Sequence, residues 1–106
     1  EPTELIGTGQ TSSADYVKQT IETVRAINPD IMVLQGAGIS NGYDVYNTIK
    51  QGAMGTGSTS GIMNADDPAA MVEEMIYSLR KAWDEVYQND TLIKSSIEVV
   101  PIAVGG

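Results

Sequence analysis

The sequence predicts an α/β fold built on parallel strands, and three observations carry that reading. Apolar residues recur at spacings of three and four over 14–27 and again over 72–86, the period of amphipathic helices. A short apolar run, Ile31 to Leu34, stands between helical stretches and runs into a glycine turn. The order then repeats as turn–helix–strand–turn–helix–strand–turn–helix, which calls for right-handed βαβ units and a parallel sheet. All the strand-to-helix turns then fall at the carboxyl ends of the strands, where α/β folds build their sites.

A chain of 106 residues is enough for one small domain, and an apolar fraction of 42% allows a core. Phe is absent, so packing relies on Ile, Val, Leu, Met and a single Trp. The lack of Cys rules out a disulfide framework or a thiolate site. The lack of His removes the commonest general base and the commonest metal ligand. A formal net charge of -8 argues against nucleic acid and against an anionic membrane as partners. It also opposes an anionic substrate at long range, so any phosphate site has to work through local dipoles. No apolar run approaches a membrane span, and nothing reads as a signal peptide. The chain opens on Glu1 without a Met, and so reads as a processed, trimmed or incomplete product.

Residues 1–12, EPTELIGTGQTS, read as a loop punctuated by Gly7 and Gly9. Ser12 or Ser13 can cap the first helix, with Asp15 in its first turn. Ala14, Val17, Ile21, Val24 and Ile27 form its apolar stripe, and Asn28-Pro29-Asp30 ends it. Ile31 to Leu34 is long enough for a strand buried on both faces. Gly36 and Gly38 let the backbone turn tightly, and Ser40 or Asn41 can cap a second helix of about 41–51. Such a turn aims N–H groups and a positive dipole end at one point, which suits a phosphate. It suits a plain strand-to-helix connection equally well.

Val45 and Ile49 supply the buried side of the second helix, Tyr46 flanks them, and Gly52 is placed to end it. Ala53 to Ser58 is weak as a strand on propensity but is a strand by position, and its small residues would let a neighbour or ligand come close. Thr59-Ser60-Gly61 is a second glycine turn. Asp67 caps the last helix and Pro68 opens it. Val72, Ile76, Leu79, Trp83 and Val86 form its stripe, widened by Met71 and Met75 as core rather than as a Met-lined groove. Glu73, Glu74, Asp84 and Glu85 read as a solvated face. Residues 89–106 break the alternation: Ile97 to Val104 fits one strand, which Pro101 confines to an edge or bulge. That tail carries no functional reading.

The segments EPTELIGTG, VLQGAGISNGYDV and GSTSGIMNADDPAA, in this order and spacing, resemble the last third of triosephosphate isomerases, the archaeal type above all. The resemblance covers residues 1 to about 85. It implies the C-terminal part of a (β/α)8 TIM barrel, from the end of the sixth strand through the eighth helix, over residues 1–88, with 89–106 as a tail of unassigned role. The implied activity is interconversion of dihydroxyacetone phosphate and glyceraldehyde 3-phosphate through an enediolate. That is a cytoplasmic step of glycolysis and gluconeogenesis, and it needs no metal and no organic cofactor.

Position by position, Glu1 matches the catalytic base of the family's Glu-Pro pair; without the motif it is an ordinary terminal carboxylate. Pro2 to Gly9 matches the lid, with a backbone donor to the substrate phosphate near Ile6 and Gly7. Gly38 and Ser40 in one turn, and Thr59 and Ser60 in the next, match further phosphate donors, with Gly61 permitting the turn. Ser40 can serve as a helix cap as well.

The departures are as informative. The family also uses a Lys from its first strand and a His from its fourth to polarise the substrate carbonyl. This sequence has no His, and Lys18, Lys50, Lys81 and Lys94 lie on helices or in the tail. A barrel of this kind takes about 250 residues. Three strands leave an open edge and a half-covered core. If Glu1 is a true terminus, its α-amino group would also keep the carboxylate ionised and weaken it as a base. The expectation is therefore a chain inactive alone and active with the remainder of the barrel as partner, homo-oligomeric as the full-length protein.

The alternative is a non-catalytic phosphate-binding half-barrel that assembles with a partner. A different phosphate-binding barrel enzyme fits less well, because it has no need of the Ile-Gly-Thr-Gly lid. The GAGIS stretch also opens the nicotinamide-binding segment of sirtuin deacylases. There a second glycine and Ile-Pro-Asp-Phe-Arg follow, and here Tyr43-Asp44-Val45-Tyr46 does. A dinucleotide site would want an acidic residue where Ser58-Thr59-Ser60 stands.

Overall fold

The structure, a computed structural model, describes residues 1–87 and 102–104. A short 3-10 turn at Thr3–Leu5 precedes α1 (Ala14–Ile27), β1 (Leu34–Gln35), α2 (Gly42–Lys50), β2 (Gly55–Ser58), α3 (Ser60–Met63), α4 (Pro68–Tyr87) and β3 (Ile102–Val104). The strands form one parallel sheet in the order β1-β2-β3. Leu34 faces Gly55 and Gln35 faces Thr56; on the other flank of β2, Thr56, Gly57 and Ser58 face Ile102, Ala103 and Val104. The predicted α/β alternation and parallel pairing are both present.

Local chemistry starts the helices. The Tyr16 N–H donates to Ser13 Oγ at 3.2 Å, the Asp44 N–H to Asn41 Oδ1 at 3.0 Å, and the Ala70 N–H to Asp67 Oδ1 at 3.1 Å. Each bond satisfies a first-turn donor that no helical carbonyl can reach. Gly52, at φ +111, follows the last residues of α2 in a conformation that favours glycine.

The core lies between α2, α4 and β2. Val45, Ile49, Ala53, Met75 and Ala82 are fully buried, with Leu79 and Trp83 all but so. Burying a side chain of this size stabilises by about 1.5–3 kcal/mol. Met75 is core, as read from the sequence.

The buried face of α4 is turned from the expected stripe. Met75, Leu79, Ala82 and Trp83 face inward, whereas Ile76 and Val86 are exposed. Two carboxylates of α4, both bonded to α2, hold this rotation. Glu74 Oε2 accepts the Gly42 N–H at 2.7 Å, and Glu85 Oε2 accepts the Tyr46 hydroxyl and pairs with Lys50 Nζ at 3.3 Å. Glu74 and Glu85 thus bridge two helices instead of only facing solvent. Asp84 pairs with Arg80 one turn away at 3.2 Å.

The Tyr46 hydrogen bond and the nearby Lys50 hold the Glu85 carboxyl below its ordinary range. The same bond to Glu85 raises the Tyr46 phenol above its ordinary value.

On the α1–β1 side two expectations fail. The strand is shorter than Ile31 to Leu34 suggested and one face is bare: Val33 and Gln35 are buried, Met32 and Leu34 opposite them are exposed, Leu34 at 54%, and Ile31 ahead of the strand is exposed too. Only Val17 of the α1 stripe is buried, and Ile27 is 82% exposed. The cause is geometric. β1 is an edge strand, and among the described residues no element lies beyond it to cover Leu34 or the far end of α1.

The strand expected over Ile97 to Val104 is present as Ile102–Val104 at the other edge, and residues 97–101, Pro101 included, lie outside the described residues. Among the described residues no helix is long and apolar enough to cross a membrane.

Candidate functional site

Three backbone turns meet at the carboxyl ends of β1 and β2. Glu1, Ile6, Gly7, Gly38, Thr59 and Ser60 all line one cavity of about 30 Å³ between them. Ser40 lies just outside it, on an adjoining groove of about 370 Å³ that shares Gly7 and Ser60 with the cavity. All the positions singled out in the sequence are therefore gathered at one end of the sheet. The inner cavity is about the volume of one water, and the groove supplies the room a small ligand needs.

The first turn is held tightly. Ala37 and Gly38 adopt consecutive left-handed conformations, at φ +76 and +72. For Ala37 that costs roughly 1–2 kcal/mol. At Gly38 a side chain is excluded twice over, by φ and by the Gln10 backbone, which a Cβ there would strike. The segment after Pro2 thus packs directly on the turn. Glu1 reaches the same turn: its Oε1 lies 3.4 Å from where a Cβ on Gly36 would sit.

The second turn crosses the first at close range. Ser58 Oγ donates to the Ile39 carbonyl at 2.7 Å in a buried bond. A Cβ on Gly61 would meet that same carbonyl and lie 2.8 Å from Ser40 Cα. Glycine at 61 is what lets the two backbones approach.

Counting donors separates the candidates. The Ile6 N–H bonds to the Thr3 carbonyl at 3.3 Å within the 3-10 turn. The Ser40 N–H bonds to Asp44 Oδ2 at 2.9 Å, and its hydroxyl donates to the Gly38 carbonyl at 3.1 Å. Together with the Glu74 bond to Gly42, these contacts place protein carboxylates on the start of α2. The dipole end expected to face an anion is thus answered by the protein itself. The N–H groups of Gly7, Gly38 and Ser60 have no acceptor among the described residues. Thr59, the N-cap of α3, makes no capping bond with its side chain. The donors on offer come from Gly7, from Gly38 and from the second turn.

Sequence reading missed Asp44, Glu74 and Ser58 as parts of this arrangement. Asp44 carried a signal, an acid three residues after a capping Asn. Glu74 carried none, because it reaches Gly42 from 32 residues away. Two register partners, Gln35 and Thr56, also bury side-chain oxygens without a partner among the described residues.

The family model for triosephosphate isomerase matches residues 1–75. The triosephosphate isomerase of Methanosarcina mazei is 47% identical over 79 residues, covering 72% of this chain and 36% of that protein. That of Saccharolobus solfataricus is 39% identical over 85 residues, covering 77% and 37%. That of Sulfolobus acidocaldarius is 35% identical over 88 residues, covering 80% and 38%. The chain spans little more than a third of the length of the curated relatives it matches. With a model matched over most of its length, it belongs to the triosephosphate isomerase family.

Proposed function

We propose that this chain is the part of a (β/α)8 barrel from the end of the sixth strand through the eighth helix, and that it serves triose-phosphate isomerisation. The supporting observation is one cavity lined at once by Glu1 and by Gly7, Gly38, Thr59 and Ser60. The N–H groups hold the substrate phosphate through local dipoles, which a chain of net charge -8 requires. Glu1 takes the proton from the carbon beside the carbonyl, leaving an enediolate, and returns it to the neighbouring carbon, while the hydroxyl proton of the first carbon passes to the former carbonyl oxygen. The same proton can make both moves because the closed lid, Pro2 to Gly9, keeps water away. The groups that polarise the carbonyl come from the remainder of the barrel, since this chain has no His and its Lys residues lie on helices or in the tail.

The test is complementation. Mixed with the remainder of the M. mazei relative, the chain should interconvert the two triose phosphates, and Glu1→Gln should lower that rate by about 10²–10⁴ while a phosphate ligand still binds. Isomerisation by the 106-residue chain alone would contradict the proposal. A second reading, a phosphate-binding half-barrel without catalysis, is favoured by the same absence of His. It predicts that Glu1→Gln changes nothing measurable.

A further inference from the structure

We infer that β3 is a self-capping strand: it holds the flank of β2 that barrel closure gives to the first strand, and assembly of the whole barrel has to displace it. The inference rests on the barrel reading above.

A strand has two flanks and can pair with one neighbour on each. On β2 both are taken, by β1 through Leu34 and Gln35 and by β3 through Ile102 to Val104. In a closed ring of eight strands the eighth lies between the seventh and the first, with no third position. If β1 and β2 are the seventh and eighth, the first strand and Ile102–Val104 claim the same backbone groups. The handedness rule explains how β3 comes to be there. A parallel strand that follows a helix crosses over in a right-handed sense, so the strand after α4 falls on the flank away from β1.

Two further observations bear on its role. The family model matches residues 1–75, so β3 lies beyond the matched part. Its ladder spans three register pairs on a Gly-Thr-Gly-Ser strand, and glycine-rich strands specify their partners weakly. A short ladder of this kind blunts an exposed edge, which would otherwise recruit other chains, and still leaves a partner strand able to replace it.

Two variants test this: Ala103→Pro, which removes a backbone donor from the middle of β3, and a chain ending at residue 101. Amide exchange across β2 in each isolated chain reports the capping itself. The dissociation constant for the remainder of the M. mazei relative reports the competition. Both variants should speed exchange at β2 and bind that remainder about tenfold more tightly, the effect of releasing a few backbone hydrogen bonds. Unchanged exchange in the variants would show that β3 does not cap β2. Faster exchange with equal or weaker binding would show that β3 does not compete with the barrel's first strand. If exchange rises but no chain binds the remainder at all, the barrel reading fails and the inference falls with it.

Discussion

The two sides of the sheet are built from similar sequence and end in opposite conditions. On the α2–α4 side, Val45, Ile49 and Met75 are fully buried and Trp83 is 1% exposed. On the α1–β1 side a helix with as clear a stripe buries Val17 and leaves Ile27 82% exposed. Amphipathic periodicity is a property of a segment; burial is a property of what stands opposite it. The candidate site runs along the seam between the two sides. Gly38 and Ser40 belong to the bare side, Thr59 and Ser60 to the packed one. The packed side steadies the other through the Ser58 bond to the Ile39 carbonyl.

Truncation on each side is the sharpest way to break this contrast. Trp83→Ala should cost about 3–5 kcal/mol in denaturant unfolding, while Ile27→Ala should stay within about 0.5 kcal/mol. Equal losses would mean that α1 is packed as firmly as α4, and the contrast would be gone.

Gly38→Ala probes the seam. It forces a side chain into a left-handed backbone and against the Gln10 carbonyl, so a loss of more than about 1 kcal/mol is expected. Faster proteolysis within residues 2–10 should accompany the loss, because the segment packed on the turn is pushed off. A variant as stable and as resistant as the parent would show that the segment does not rest on Gly38.

The bridge from α4 is smaller. Glu74→Ala leaves the Gly42 N–H without its acceptor and should cost about 1–2 kcal/mol, whereas Glu73→Ala, one position away on an exposed face, should be near neutral. Similar values for the two would return Glu74 to a merely solvated role.

The smallest effect is a pH dependence. Glu85 titrates lower in the folded chain, so its contribution is present above the ordinary carboxylate range and is lost as pH falls through the folded value. Tyr46 titrates higher, so its contribution is present below pH 10.0 and is lost as pH rises through the folded value. Stability should therefore carry a shallow plateau between acid and strong alkali, and Tyr46→Phe should flatten the alkaline edge. An unchanged alkaline edge in that variant would dissociate Tyr46 from it.

Much of the site was legible because it is made of backbone and short motifs. Gly38, Gly61 and the capping residues Ser13, Asn41 and Asp67 are residue types whose conformational or hydrogen-bonding demands act within a few positions. What escaped was long-range. The inward face of α4 keeps Met75, Leu79 and Trp83 but takes Ala82 and leaves Ile76 and Val86 outside, because contacts with α2, two carboxylate bridges among them, choose the rotation. The start of α2 looked like an anion site because its donors are visible in sequence, while one of the carboxylates that answers them comes from another helix.

By itself, then, the sequence determined the helices and their ends, the parallel alternation, and the gathering of three turns at one end of the strands. Each follows from local geometry and handedness. Only the tertiary structure decided which apolar faces are covered, which N–H groups remain open at the cavity, and that Ile102–Val104 lies against β2. Those outcomes depend on contacts between residues far apart in the chain, which periodicity and propensity do not encode.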